Sequence, residues 1–215
     1  MNLIINQVEK KFPEINNEKS FKAYCELCEM YILKEYLKNR NFITDEDMLR
    51  IEGGPFNFFA MVANGKIPNV VDQSIIGDYS KDWMICHNKP ENDENWNNEE
   101  FPAGSMAEAD ENGPGHVFIT TKRLHMKYFN ILAIALDGNV ELLKEMKKVA
   151  MHYAKKRNWS NPGFYFHCFP YNSVQSLHLH VVNLDRTGIN YENYKYKNLS
   201  IEDAITAIEK LYKFM

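Results

Sequence analysis

Between Asn172 and Val182 polar and apolar residues alternate, placing Leu177, Leu179 and Val181 on one side and Ser176, His178 and His180 on the other. A period of two belongs to a strand with one face toward a core and the other left free for chemistry. Up to about residue 52, Phe21, Cys25, Cys28 and Ile32 recur at helical spacing with charges between them, which predicts helices. Gly53-Gly54-Pro55 breaks that pattern. An apolar run from Phe56 to Val62 follows, then a turn at Asn64-Gly65-Lys66-Ile67-Pro68. Val70 to Tyr79 and Asp82 to Asn88 read as two short strands. Residues 89–112, rich in Asn, Glu, Asp, Pro and Gly, read as an inserted loop rather than a lid.

The second half repeats the two periods. Val117 to Thr120 reads as a strand with His116 and Phe118 on one face and Val117 and Ile119 on the other. A helix is expected from Lys122 to Leu136, punctuated by Asp137-Gly138-Asn139. An amphipathic helix from Val140 to Lys156 follows, its stripe formed by Val140, Leu143, Met146 or Ala150, and Tyr153. Pro162-Gly163 turns the chain into a strand from Phe164 to Cys168, and the histidine strand runs to about Leu184. After a polar, Tyr/Asn-rich stretch, Ser200-Ile201-Glu202-Asp203 resembles a capping box opening a last helix to Met215. This order predicts an α+β fold with one main sheet.

Composition narrows the class. A chain of 215 residues holds one domain with elaborations, or a domain with a small appendage. Hydrophobic residues at 45% and aromatics at 13% are enough for a sizeable core, which excludes disorder throughout. A net charge of −4 argues against a general nucleic-acid or anionic-membrane surface. The locally basic stretch Lys144 to Arg157 reads as the solvated face of a helix. The N-terminus has no long apolar run, so neither a signal peptide nor a membrane span is expected, and the expected compartment is cytoplasmic or nuclear. The four cysteines do not suggest a disulfide framework. Cys25-Glu26-Leu27-Cys28 would be half a tetrahedral zinc site, but no second CxxC exists, so it reads as two small residues on a packed helical face and no metal is expected.

The chemistry therefore falls to histidine, whose ordinary pKa of about 6.5 leaves much of it neutral and nucleophilic near pH 7. His178 and His180, one pleat apart on a core strand, form a rigid platform. His125, His152 and His87 read as structural, and His167, which precedes Cys168, reads as a group bonded to neighbouring backbone.

Four segments, in order, then resemble the histidine triad (HIT) family, in its Hint/aprataxin-like branch. Phe56-Asn57-Phe58-Phe59 with Asn64-Gly65-Lys66-Ile67-Pro68 resembles the opening "CxFC…GxIP", both cysteines being replaced by Phe56 and Phe59. Gly113-Pro114-Gly115-His116-Val117-Phe118-Ile119 with Lys122-Arg123-Leu124-His125 resembles "PGHVLVIPKxH". Phe166-His167-Cys168-Phe169-Pro170-Tyr171-Asn172-Ser173-Val174 resembles "FHxPPFNSI". The signature "HxHxHxx" follows as Ser176-Leu177-His178-Leu179-His180-Val181-Val182, its first histidine replaced by Ser176.

The resemblance implies a HIT-like single antiparallel sheet with two helices on one face, flanked by N- and C-terminal helical extensions. It divides the chain into an extension over 1–52, a HIT-like domain over 53–185 with an insertion at about 89–112, and a C-terminal extension over 186–215. It implies a nucleotide phosphohydrolase or phosphoramidase in which His178 attacks the α-phosphorus. His180 is a histidine where the nucleotidyl transferase branch has glutamine, which points to hydrolysis, with transfer as an alternative. His116 is placed near the phosphates, and Ser173 with Asn172 would bind them. Asn88, Phe58 and Ile67 are the implied nucleoside-binding positions. The implied partner is a nucleotide or nucleoside-phosphate substrate, with no cofactor. Oligomeric state stays open between the symmetric dimer of Hint-type relatives and a pairing surface covered by the N-terminal helices. Loss of the first histidine leaves a second reading open, a nucleotide-binding protein with impaired catalysis. A third makes the helical ends an interaction module.

Overall fold

The computed structural model describes residues 11–31, 73–87, 115–122, 130–168, 171–172, 177–187 and 189–212. Phe58, Ile67, Asn88, Ser173 and Ser176, with the insertion at 89–112, lie outside the described residues.

Five strands form one antiparallel sheet: β1 (Trp83–His87), β2 (His116–Thr121), β3 (Pro162–Phe166), β4 (His178–Asn183) and β5 (Leu199–Ser200), in the order β1-β2-β4-β3-β5. The histidine strand β4 is thus central, with Val117↔Val181 and Ile119↔Leu179 across one ladder and Phe164↔Val181 across the other. Cross-strand partners share a face, so these residues stack into one apolar surface with Ile85 and Leu199, and all but Phe164 are wholly inaccessible to solvent.

Helices cover that surface. Helix α1 (Glu18–Tyr31) starts at Asn17, whose Oδ1 accepts the Ser20 amide, 3.0 Å. It buries Phe21, Tyr24 and Cys25, the spacing of one helical face. Helix α2 (Ile131–Asp137) is capped by Asn130 and ends at Gly138, whose left-handed φ of 68° suits glycine. Helix α3 (Val140–Lys156) buries Leu143, Met146, Ala150 and Tyr153, the expected stripe, and widens it with Leu142 and Val149. Between β4 and β5 lie α4 (Ile189–Tyr194) and a 3-10 turn, Lys195–Lys197. Helix α5 (Ile201–Tyr212) opens with Ser200 Oγ accepting the Asp203 amide, 3.0 Å, as the capping pattern predicts. It packs against both α1 and α3, so the two ends of the chain join the same core. The basic stretch on α3 is a solvated face: Lys144 meets Glu141 and Glu209, each at 3.0 Å, and Lys147 meets Glu202 at 2.7 Å.

One expected strand is not one. In place of the strand expected over Val70 to Tyr79, residues Gln73–Lys81 form 3-10 helix kinked at Gly77, where φ is 52°. The apolar pair Ile75 and Ile76 is adjacent, not alternating, and only Ile76 is fully buried. The Gln73 side chain does part of what a sixth strand would do. Its Nε2 donates to the Ile85 carbonyl (2.9 Å) and its Oε1 accepts the Ile85 amide (3.0 Å), satisfying the edge of β1.

Candidate active site

The sheet face opposite the Leu179 and Val181 layer carries imidazoles. His178 and His180 project from β4, and β2 contributes His116 and Phe118, as the alternation predicts. Phe118 lies directly across from His180 and His116 lies diagonal to it, so His116 Nε2 comes within 2.9 Å of His180 Nδ1 and the two share a proton. On the other side Tyr165 of β3 opposes His180. Two residues on, past the end of β3, His167 falls on the same face, its ring 4.1 Å from that of His180. The ring of His178 is 4.9 Å from that of His180 and meets Phe118 edge-on at 5.9 Å. Three imidazoles, from β2, β4 and the segment after β3, therefore stand around that of His180.

Their environments differ. By residue surface His178, His180 and His167 are half-buried and His116 is buried. His180 stands in the middle. Its Nε2 is shut off from solvent with no hydrogen-bond partner among the described residues, and such an orphan calls for an explanation. Burial, followed by the neighbouring His167, His178 and His116, holds the His180 imidazole well below its ordinary pKa. His167 is lowered well below as well, first by burial and then by the ammonium of Lys197. Its Nε2–H donates to Asn198 Oδ1 at 2.9 Å, which fixes the neutral tautomer.

Support for the ring cluster comes from β2 and β3. Thr120 Oγ1 donates to the Leu177 carbonyl (2.8 Å), pinning the entry to β4 one residue before His178. Gly163 has no side chain for a steric reason: a Cβ there would stand 2.5 Å from the Tyr165 ring. Tyr165 in turn meets Tyr191 Oη at 3.1 Å.

Of the positions expected from the sequence, His178, His180 and His116 come together here. Asn172 is buried, 9% exposed, in the loop before β4. His152, on α3, meets Tyr79 edge-on at 5.6 Å. His87 lies in β1, and His125 is outside the described residues. His167, read from the sequence as a backbone-bonded group, joins the cluster and bonds the Asn198 side chain instead. The alternation through Gly163, Tyr165 and His167 carried that signal. Among the described residues no three His, Cys, Asp or Glu side chains are arranged to hold a metal ion. Cys25 of the CxxC is buried in the core with Phe21 and Tyr24, while the side chain of Cys28 lies outside the described set.

A single antiparallel sheet carrying these histidines, with the matched family below, defines a nucleotide-binding domain of the HIT-like superfamily. A family model described as "Scavenger mRNA decapping enzyme C-term binding" matches residues 84–194, just over half of the chain, and the chain belongs to that family. The family is one of hydrolases, active in mRNA decapping. No curated protein and no solved structure matches the chain. No helix among the described residues is long and apolar enough to cross a membrane.

Proposed function

We propose that the protein hydrolyses a nucleotide at its α-phosphorus through a covalent nucleotidyl-histidine on His178. The observation that carries this is the grouping of His178 with His180, His116 and His167 on the sheet face opposite Leu179 and Val181. A lone pair of the His178 ring attacks phosphorus, and the bond to the leaving group breaks with its electron pair, the departing oxygen or nitrogen taking up a proton. Water then attacks the same phosphorus, the N–P bond breaks, and the nucleoside monophosphate leaves as His178 regains its lone pair. Two moderate steps replace one difficult one.

Charge builds on the phosphoryl oxygens in both transition states, so fixed donors carry much of the acceleration. His180 suits that role. When His116 Nε2–H donates to His180 Nδ1, the neutral His180 ring bears its proton on Nε2, which has no acceptor among the described residues and is closed to solvent, so it donates to a phosphoryl oxygen only once the rings around it shift. Its low pKa keeps it in that neutral form at pH 7. Asn172 and Ser173 are the proposed phosphate contacts. Asn88, Phe58 and Ile67 are the proposed nucleoside contacts.

The test is release of a nucleoside monophosphate from an adenosine or guanosine phosphoramidate, a dinucleoside polyphosphate or a cap analogue, with His178→Ala as the control. Equal rates in the two proteins would sink the proposal. Ser176, in place of the first signature histidine, favours a second reading, nucleotide binding without turnover. That reading expects a rise in melting temperature with AMP or GMP and no product. A nucleotidyl-histidine trapped on His178 and found by mass spectrometry would exclude it.

A further inference from the structure

The 3-10 turn Lys195–Lys197 lies beyond the matched family segment, yet it reaches the site from below. Asn198, the residue after the turn, fixes His167. The ammonium of Lys197 lies 3.5 Å from the Tyr171 carbonyl, immediately before Asn172 and Ser173, and 4.3 Å from the centre of the Tyr194 ring. Both chain ends build this corner: the Ile15 amide donates to the Tyr196 carbonyl at 3.2 Å, and Tyr171 Oη donates to the Phe12 carbonyl.

Lys197 differs from the lysines around it. Lys195 pairs with Glu192 at 2.6 Å, Lys147 with Glu202, and Lys210 with Glu18 at 2.6 Å. Lys197 has no carboxylate partner among the described residues, although it is half-buried and burial lowers its pKa. A carbonyl and an aromatic face hold its position without neutralising its charge. Its field reaches both His167 and His180. The site's other cationic candidates are imidazoles, and two of them are held neutral, so Lys197 is a fixed positive charge beside Tyr171, the residue before Asn172.

We propose that Lys197 is a phosphate-binding residue of this site, its ammonium taking a non-bridging phosphate oxygen of the nucleotide beside Tyr171 and Asn172. This rests on the reading of the site as a nucleotide site and adds a contact from the C-terminal segment. It also assigns a preference: a substrate with further negative charge along a phosphate chain gains from Lys197 more than a nucleoside phosphoramidate does.

The test measures binding of inorganic pyrophosphate and of AMP by calorimetry to the full chain, in a His178→Ala background so that no turnover intervenes. Lys197→Met keeps a long unbranched side chain and removes the charge. Its affinity for pyrophosphate is expected to fall at least about tenfold, the range for a charge-assisted hydrogen bond, and Lys197→Arg is expected to recover most of it. A second measurement needs no variant: pyrophosphate is expected to slow acylation of Lys197 by acetic anhydride, read by peptide mass spectrometry, while Lys195 reacts at an unchanged rate. Equal affinity in Lys197→Met, unchanged acylation, or no pyrophosphate binding by the parent protein would each overturn the assignment. Hydrolysis that persists while position 197 is indifferent to pyrophosphate defeats the lysine alone. Lys197-dependent binding in a wild-type protein without turnover defeats the hydrolase reading alone.

Discussion

The two faces of β4 are built from residues one position apart and are held by opposite physics. Leu179 and Val181 sit in a dry layer with Ile85, Val117, Ile119 and Leu199, where stability comes from apolar area removed from water, at about 25 cal/mol per Å². His178 and His180 sit among His116 and His167, where burial works against the charged imidazole and leaves one ring nitrogen unpaired. The first face explains why the strand folds. The second lowers stability, and folding alone gives no reason for its residues. The stiffness of the first face is what fixes the geometry of the second, because the pleat that locks Leu179 also sets the spacing of the imidazoles on either side of it.

The sharpest way to test this contrast is to delete one side chain from each face. His178→Ala is expected to lower turnover by on the order of 10³-fold or more, as losing a covalent nucleophile does. Its melting temperature is expected to stay within a few degrees, since the side chain is only half-buried. Leu179→Ala is expected to show the converse, a loss of about 2–5 kcal/mol in denaturant unfolding with activity retained in the fraction still folded. If Leu179→Ala leaves stability intact, the apolar face is not the source of rigidity.

Acid separates the faces without mutation. His167 and His180 have folded pKa values below their ordinary 6.5, so below that pH the unfolded chain binds protons that the native state refuses. Stability is therefore complete above about pH 6.5 and falls as pH drops, by up to about 1.4 kcal/mol per pH unit for each imidazole. Urea unfolding at a series of pH values is expected to show this slope, and His180→Asn to flatten it. A slope unchanged by His180→Asn would mean that its ring is not held neutral.

The smallest effect concerns the join between the faces. Thr120→Val keeps the shape but leaves the buried Leu177 carbonyl without the Thr120 hydroxyl, for a loss of about 1–3 kcal/mol. A fall in turnover larger than this destabilisation explains would show that the bond also sets the position of His178.

Much of this was legible along the chain because it is local. Period-two alternation put His178 and His180 on one side of Leu179, and His116 and Phe118 on one side of Val117, whatever the strands later met. The capping residues Asn130, Asn139 and Ser200 act within three positions of themselves, and Ser200 was readable as a cap for that reason. The strand expected over Val70 to Tyr79 failed because its apolar pair is adjacent and its glycine takes a left-handed φ, so the segment closes the sheet edge with one glutamine side chain.

The sequence by itself determined which residues share a face of each strand, since the pleat has a fixed period. Only the tertiary structure decided which strands lie side by side. Placing β3 beside β4 brought His167 against His180, and the return of the chain through β5 set Lys197 and Asn198 beneath them. Those neighbours depend on pairing between segments far apart in the chain, where packing of the whole core, rather than any local pattern, selects the partner.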